Sequence, residues 1–448
     1  MNNLQIGFYR ADVTPPLEID ITGYYQERYA EGILDNLTLS VLAVTSGDNT
    51  ALLISTDTLH LHGNDCNAFK KAISEKTGVS TDSVYIHSTH THTGPDIDLA
   101  SEKPVVVEYT KFFFNRLVDA SVMALEDRKP AKMGWAVGNA PKVAFVRRFR
   151  MKDGKVRTNP GVGNPDIDHP IGDVDERVNV LRFDRVGGDT VVLVNFGNHP
   201  DTVGGSKISA DWPGFLVKRL EKSLDNVKCI FFNGAQGDVN HVNVNAKGGD
   251  FNDTFHDFDD VDRGYGHARH MGNVMAGAVL QVYDKVNYVD VDSVKFIQKE
   301  IKVASHRPNP EDLPRAYEIN KLHNEGRDEE IPFKGMELTT VVAEAARMIR
   351  LKDAPEFFPL LLSGVTIGNV ALIGVPGEPF TGIGRGLKES KDFDLVLPTC
   401  LTNGDEGYFP MKDSYDEGGY EARSSRYKSG TAETIIAEGL KLLKELAD

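Results

Sequence analysis

Short apolar, β-branched runs recur along the whole chain, separated by segments whose apolar residues fall at helical spacing, and this alternation restricts the fold more than any other feature. Residues 50–56 (TALLIST) and 84–87 read as strands, with a helically spaced segment, 66–77, between them. Residues 178–183, 190–196 and 229–232 read as further buried strands. Residues 104–127 predict a long helix with Pro104 in its first turn, where a missing N–H costs nothing. Helices are also expected over 212–223, 267–286, 313–325, 336–351, 381–390 and 431–446. Strands are expected over 294–303, 361–365, 369–375 and 395–399. The pattern predicts an α/β fold: central mixed β-sheets, flanking helices and long active-site loops.

Three segments interrupt the alternation. Residues 147–176 and 234–266 are rich in Gly, Asn, Asp and His, and residues 402–426 in Gly and Tyr. Each follows a predicted strand. Long loops inside a compact domain usually carry function, and α/β enzymes place chemistry at strand exits.

Charge and composition exclude several function classes. The 448 residues carry a formal net charge of −16, which disfavours nucleic acid and anionic membrane surfaces. No apolar run approaches the roughly 18–20 residues that span a bilayer. The opening MNNLQIGFYRADVTPP lacks a basic segment followed by an apolar one, so no signal peptide is visible and the expected location is cytoplasmic. Cys66, Cys229 and Cys400 are far apart with no Cys-x-x-Cys pair, which argues against a disulfide framework or a thiolate metal site. The expected partner is a small-molecule substrate; the sequence carries no mark of oligomeric state.

The residues most suited to metal chemistry lie in His87-Ser-Thr-His-Thr-His-Thr-Gly-Pro95. In an extended segment, His90 and His92 point to the same side, and Gly94-Pro95 turns the chain away. His87 adds a third imidazole. A catalytic zinc needs about three protein ligands from His and carboxylate plus an open position. Two candidates stand at predicted strand exits: His199 in Asn-His-Pro, and Glu378 in Pro-Gly-Glu-Pro. Other histidines have plainer readings. His60 and His62 are expected to line a loop, and His267 and His270 share one helical face and read as packing. Asp253, Asp257, Asp259, Asp260 and Asp262, near His256, read as a solvated loop, with an oxygen-ligand calcium site as the alternative.

Taken together, His90-Thr-His-Thr-Gly-Pro95, Asn198-His199-Pro200, Gly237-Asp238-Val239, Pro376-Gly-Glu378 and the stretch from Tyr408 to Tyr420-Glu421-Ala422 resemble, in order, the motifs of neutral (alkaline, non-lysosomal) ceramidases. The opening Ile6-Gly-Phe-Tyr-Arg-Ala-Asp-Val-Thr-Pro15 resembles that family's start, and Arg147-Arg-Phe-Arg-Met-Lys-Asp-Gly154 resembles its smaller bacterial relatives. The resemblance implies a zinc ion held by His90, His199, Glu378 and Tyr408, with Tyr415 the competing tyrosine. It implies that Tyr420 and Arg147 hold the substrate carbonyl or nearby polar atoms, and it matches His92 and Asp238 to family positions. A tetrahedral oxyanion needs donors, for which His92 and Tyr420 are the candidates, and Asp238 can orient a histidine or the water. Asn240 stands where the family has serine, so a serine nucleophile is not available there while a metal-activated water is. Asn240 and the adjacent His241 are expected to face substrate. The family's additional C-terminal β-sandwich is not expected, which leaves residues 1–448 as a single ceramidase-like catalytic domain. The implied activity is zinc-dependent cleavage of the amide bond of an N-acyl substrate. The alternatives are a zinc-dependent esterase or lactonase acting on a polar, sugar-like substrate, and a non-catalytic metal-containing binding protein.

Overall fold

Strands form here because they are buried on both faces. Leu39, Val41, Ala43, Leu52 and Ile54 face one layer, while Leu42, Val44, Ala51 and Leu53 face another. A strand covered on both sides reads as a near-continuous apolar run. The computed structural model describes residues 4–246, 254–259 and 261–448.

The larger sheet contains Gln5–Asp12 (β1), Thr38–Ser46 (β2), Asn49–Thr56 (β3), Val84–Ser88 (β4), Lys129–Asn139 (β5), Arg177–Arg185 (β6), Thr190–Phe196 (β7) and Val227–Asn233 (β8). Their order is β8-β7-β6-β5-β1-β2-β3-β4, and Asn287–Val289 also pairs with β5. The pairs β3/β4 and β7/β8 are parallel, and the strands between them antiparallel. The smaller sheet runs Val294–Ala304 (β9), Phe357–Ile367 (β10), Val370–Gly374 (β11) and Leu395–Thr399 (β12), with β11/β12 parallel.

Four layers result. Gly63–Thr77 (α1), Pro104–Glu126 (α2), Asp211–Ser223 (α3) and Tyr265–Val282 (α4) cover the outer face of the larger sheet. The two sheets meet through Ile6, Leu42, Leu53, Leu193 and Phe232 on one side and Val365, Leu372 and Leu397 on the other. After the hairpin Leu313–Asn324 (α5) and Gly335–Leu351 (α6) come Thr381–Leu387 (α7), Tyr420–Ser424 (α8) and Thr431–Ala447 (α9); α7 and α9 close the smaller sheet. The mixed α/β architecture read from the sequence holds. Among the described residues no helix is long and apolar enough to cross a membrane.

A topological repeat organises the site. β2-β3-α1-β4, β6-β7-α3-β8 and β10-β11-α7-β12 are each an antiparallel hairpin, then a helix, then a strand parallel to the hairpin's second strand. The C-terminal ends of their parallel strands meet. Asn233 N–H donates to His87 Nε2 (2.9 Å), Cys400 N–H to the Asn233 carbonyl (3.1 Å), and Asn403 N–H to the Ile86 carbonyl (2.7 Å). His87 is therefore a structural acceptor; burial pushes its pKa down to about 3, which keeps it neutral.

Close contact between β1 and α2 depends on Gly7, since a Cβ there would stand 1.8 Å from the Ala124 carbonyl oxygen. Gly7→Ala is expected to destabilise the fold by about 3 kcal/mol or more, the upper range for overpacking. Thermal unfolding followed by circular dichroism checks this, and an unchanged melting temperature would contradict it.

Candidate metal centre

Each of the three repeated units delivers side chains from its strand exits. Beyond β4, Thr89 N–H and His90 N–H bond to the Thr56 and Thr58 carbonyls (both 2.9 Å), and His90 adopts a left-handed backbone (φ 76°). Such a conformation is uncommon for a side-chain-bearing residue and often marks a functional position. Beyond β7, Gly197 and Asn198 lead to His199. Beyond β11, Glu378–Pro379 pairs in parallel with Tyr408–Phe409, which fixes Tyr408 beside Glu378. The His92 N–H bonds to the Pro200 carbonyl (3.1 Å), joining the two histidine loops.

Four proposed ligands therefore converge. Glu378 Oε2 lies 3.3 Å from His90 Nε2 and 3.1 Å from His199 Nε2, and the Tyr408 hydroxyl is 3.4 Å from His199 Nε2. His92 Nε2 is 3.3 Å from His90 Nε2, and the ring nitrogens of His90, His92 and His199 all fall within 4.8 Å of one another. His90 Nδ1 bonds to the Leu59 carbonyl and His199 Nδ1 to the Gln236 carbonyl, both at 2.9 Å. A carbonyl only accepts, so each Nδ1 carries the proton and each neutral ring turns an Nε2 lone pair inward. Metal-ligating histidines are held in this way.

The donor set fits a metal ion on a second count. Glu378 Oε2 is buried and, despite its closeness to two imidazoles, has no hydrogen bond of acceptable geometry. A buried carboxylate oxygen facing two lone pairs is costly unless a cation joins them. Burial opposes ionisation of Glu378, yet the neighbouring His90 and His199 hold its carboxyl well below the usual range. Burial likewise opposes protonation of His90, while Glu378 raises it above the ordinary histidine value. The site therefore attracts positive charge, and the buried histidine cluster can hold a metal.

The other sequence-selected residues divide. Arg147 is buried at the site: its Nε donates to Glu421 Oε1 (2.7 Å), Nη2 donates to the Gly237 carbonyl (2.8 Å), and Nη1 lies 3.4 Å from His199 Nε2. The Tyr420 ring is 5.5 Å from that of Tyr408, and its hydroxyl is 3.5 Å from the Tyr25 hydroxyl. Tyr415 points elsewhere, donating to the Tyr427 carbonyl (2.8 Å). Asp238 Oδ1 accepts from the Thr381 N–H (2.7 Å) and hydroxyl (2.8 Å), so it anchors the start of α7. The Asn240 amide bonds to Asn159 Oδ1 (2.8 Å) and accepts from Val242 N–H (3.0 Å). His241 Nε2 bonds to the Asp262 carbonyl (2.7 Å). His60 pairs with Asp405 (Nδ1–Oδ2 3.2 Å) beside His62.

Sequence reasoning missed Glu421, which lies next to Tyr420 in a motif already singled out, and Asp201, two residues past His199. The acidic run also acquires a role: Asp257 and Asp259 pair with Arg263, whereas Asp253 and Asp260 lie outside the described residues. A cavity of about 760 Å³, lined by Arg10, Asp57, Glu221 and Phe231, lies apart from the cluster and has none of the candidate ligands in its wall.

No family model matches the chain, and no curated protein does. Solved structures do match. Neutral ceramidase from Pseudomonas aeruginosa superposes with a TM-score of 0.74 at 14% identity, covering 100% of this chain and 75% of that one. A ceramidase complexed with C2 gives 0.73 at 16% identity with the same coverages. At such identity the likeness speaks to fold, and the fold of this chain is that of neutral ceramidase.

Proposed function

We propose that the chain is a zinc-dependent hydrolase that cleaves the amide bond of an N-acyl substrate. One observation carries this: two Nε2 lone pairs, the orphaned Oε2 of Glu378 and the Tyr408 hydroxyl converge in one buried space. His90, His199, Glu378 and Tyr408 would hold the ion. His92 is left out of the ligand set because Glu378 pairs with His90 and His199, whereas His92 pairs with Asp201. Bound there, zinc supplies Lewis acidity, polarising a scissile carbonyl and making water a usable nucleophile near neutral pH.

The chain's own residues supply the rest. Tyr420 carries an O–H beside Tyr408 that can donate to a carbonyl oxygen as negative charge develops on it. Arg147, locked by Glu421 and the Gly237 carbonyl, keeps a fixed positive charge against the same wall. Its pKa rises above the usual arginine value, because Tyr408 and Glu421 outweigh burial. His92 is the remaining polar group next to the cluster.

Tyr420→Phe is expected to lower kcat about 100- to 1,000-fold while zinc content stays unchanged, the usual effect of losing one oxyanion donor. A variant with wild-type kcat would remove Tyr420 from the mechanism. The reaction class is tested by comparing N-acyl and O-acyl substrates of equal size; ester-only turnover would sink the amidase reading. A second reading, an ester or lactone of a polar, sugar-like substrate, draws on the exposed Tyr25, whose hydroxyl faces that of Tyr420 and offers polar recognition where an acyl chain would need an apolar wall.

A further inference from the structure

Asp201 is half-buried and bonded from several sides. Arg263 donates Nε to Oδ1 (2.9 Å) and Nη2 to Oδ2 (2.7 Å), and the Tyr24 hydroxyl donates to Oδ1 (2.6 Å). Arg263 is fully buried and gripped from its other side. Asp259 takes Nη1 at 2.8 Å and Nη2 at 2.9 Å, and Asp257 takes Nη1 at 3.2 Å. The Arg263 guanidinium also stands 4.8 Å from the centre of the Tyr24 ring. Three carboxylates and an aromatic face thus surround one arginine, which is far more than is needed to tie down a loop. What this arrangement fixes is the position of Asp201.

His92 sits against that fixed carboxylate. Its Nδ1 is 3.6 Å from Asp201 Oδ1, in ion-pair range though longer than a hydrogen bond, and has no hydrogen-bond partner among the described residues. The opposite flank is equally tight. Gly23 has φ 114°, and a Cβ there would stand 2.9 Å from His92 Nδ1, so the ring position requires glycine on both steric and conformational grounds. The Tyr24 ring lies 5.6 Å from the His92 ring. His92 is thus confined by Gly23, Tyr24 and Asp201, with Nε2 facing His90.

We propose that Asp201 is a positioning residue for His92, accepting its Nδ1–H, and that Arg263, held by Asp257 and Asp259, fixes Asp201 for that purpose. Neutral His92 then presents a lone pair at Nε2, and so acts as a hydrogen-bond acceptor toward water or a substrate hydroxyl. Of the two oxyanion donors expected from the sequence, Tyr420 remains. Asp257 and Asp259 gain their reason as well, because they balance the arginine that sets this carboxylate.

The inference rests on the hydrolase reading for its kinetic consequence, but its first test needs no substrate. Zinc-loaded protein labelled with ¹⁵N-histidine is examined by two-bond ¹H–¹⁵N correlation NMR, with the His92 signals assigned by their loss in His92→Ala. The expected pattern is a protonated Nδ1 and an unprotonated Nε2, with that preference lost in Asp201→Asn. A protonated Nε2 with bare Nδ1 in the wild-type protein overturns the proposal, whatever the activity. With a turned-over substrate in hand, Asp201→Asn is expected to lower kcat about 10- to 100-fold, with KM and zinc content within twofold. In the His92→Ala background the same change is expected to cost less than twofold, because a residue that acts through His92 has nothing left to position. An equal loss in both backgrounds overturns the proposal. Gly23→Ala leaves every charge in place and is expected to reproduce the kcat loss, which keeps the test decisive if Asp201→Asn fails to fold.

Discussion

Glu378→Ala is expected to empty the metal site and abolish turnover. The carboxylate is the only anionic member of the proposed ligand set at neutral pH, since burial and Glu378 itself push the Tyr408 hydroxyl well above its ordinary value in the metal-free protein. Without it, two imidazoles and a phenol remain. Outer-sphere partners of a metal ligand alone are worth about 10- to 100-fold in affinity or activity, so loss of an anionic ligand is expected to weaken zinc binding by more than about 100-fold. Elemental analysis after dialysis reads this directly. Full zinc occupancy in the variant would contradict the assignment.

The second large effect concerns Arg147. Its partner Glu421 is completely buried; Oε2, the oxygen Arg147 does not hold, accepts from the Thr158 hydroxyl (2.8 Å) and stands 4.0 Å from Arg148 Nε. Breaking a buried pair from one side strands the other charge, at a cost of about 3–5 kcal/mol. Arg147→Met is expected to destabilise the protein by that amount as well as to lose activity. Arg147→Met combined with Glu421→Gln is expected to recover most of the stability and none of the activity, because the stranded charge is gone but the cationic wall of the site is not restored. Thermal unfolding of the single and double variants separates the two effects. A double variant as unstable as the single one would show that the ion pair is not what Arg147 contributes to the fold.

What was legible in the sequence follows from how each feature is encoded. His90, His199 and Glu378 were readable because chemistry-bearing residues at strand exits stand out against apolar runs, whereas Tyr408 came only from the resemblance; the fold brings all four together. Strands such as β7, buried on both faces, announce themselves by unbroken apolar sequence. β5 does not, because its lysines and glycines dilute the pattern, so residues 129–139 carried no strand signal. The threefold topological repeat was invisible because the three units share a path and no residue pattern. Asp238 was expected to orient a catalytic group; its actual bonds to Thr381 join residues 143 positions apart in the chain. The same holds for the Arg263–Asp201 pair, separated by 62 positions. Local sequence marks which side chains can do chemistry, while which of them serve as supports depends on contacts made only after the layers assemble.

The proposed function requires a single metal ion held by residues from three separate strand exits. Crystals of the zinc-loaded protein, measured just above the zinc absorption edge, test this most directly. One strong anomalous peak is expected, bonded to His90 Nε2, His199 Nε2, Glu378 and Tyr408, with His92 outside the coordination sphere. No peak within this cluster, or a peak bound by the three histidines with Glu378 turned away, would contradict it.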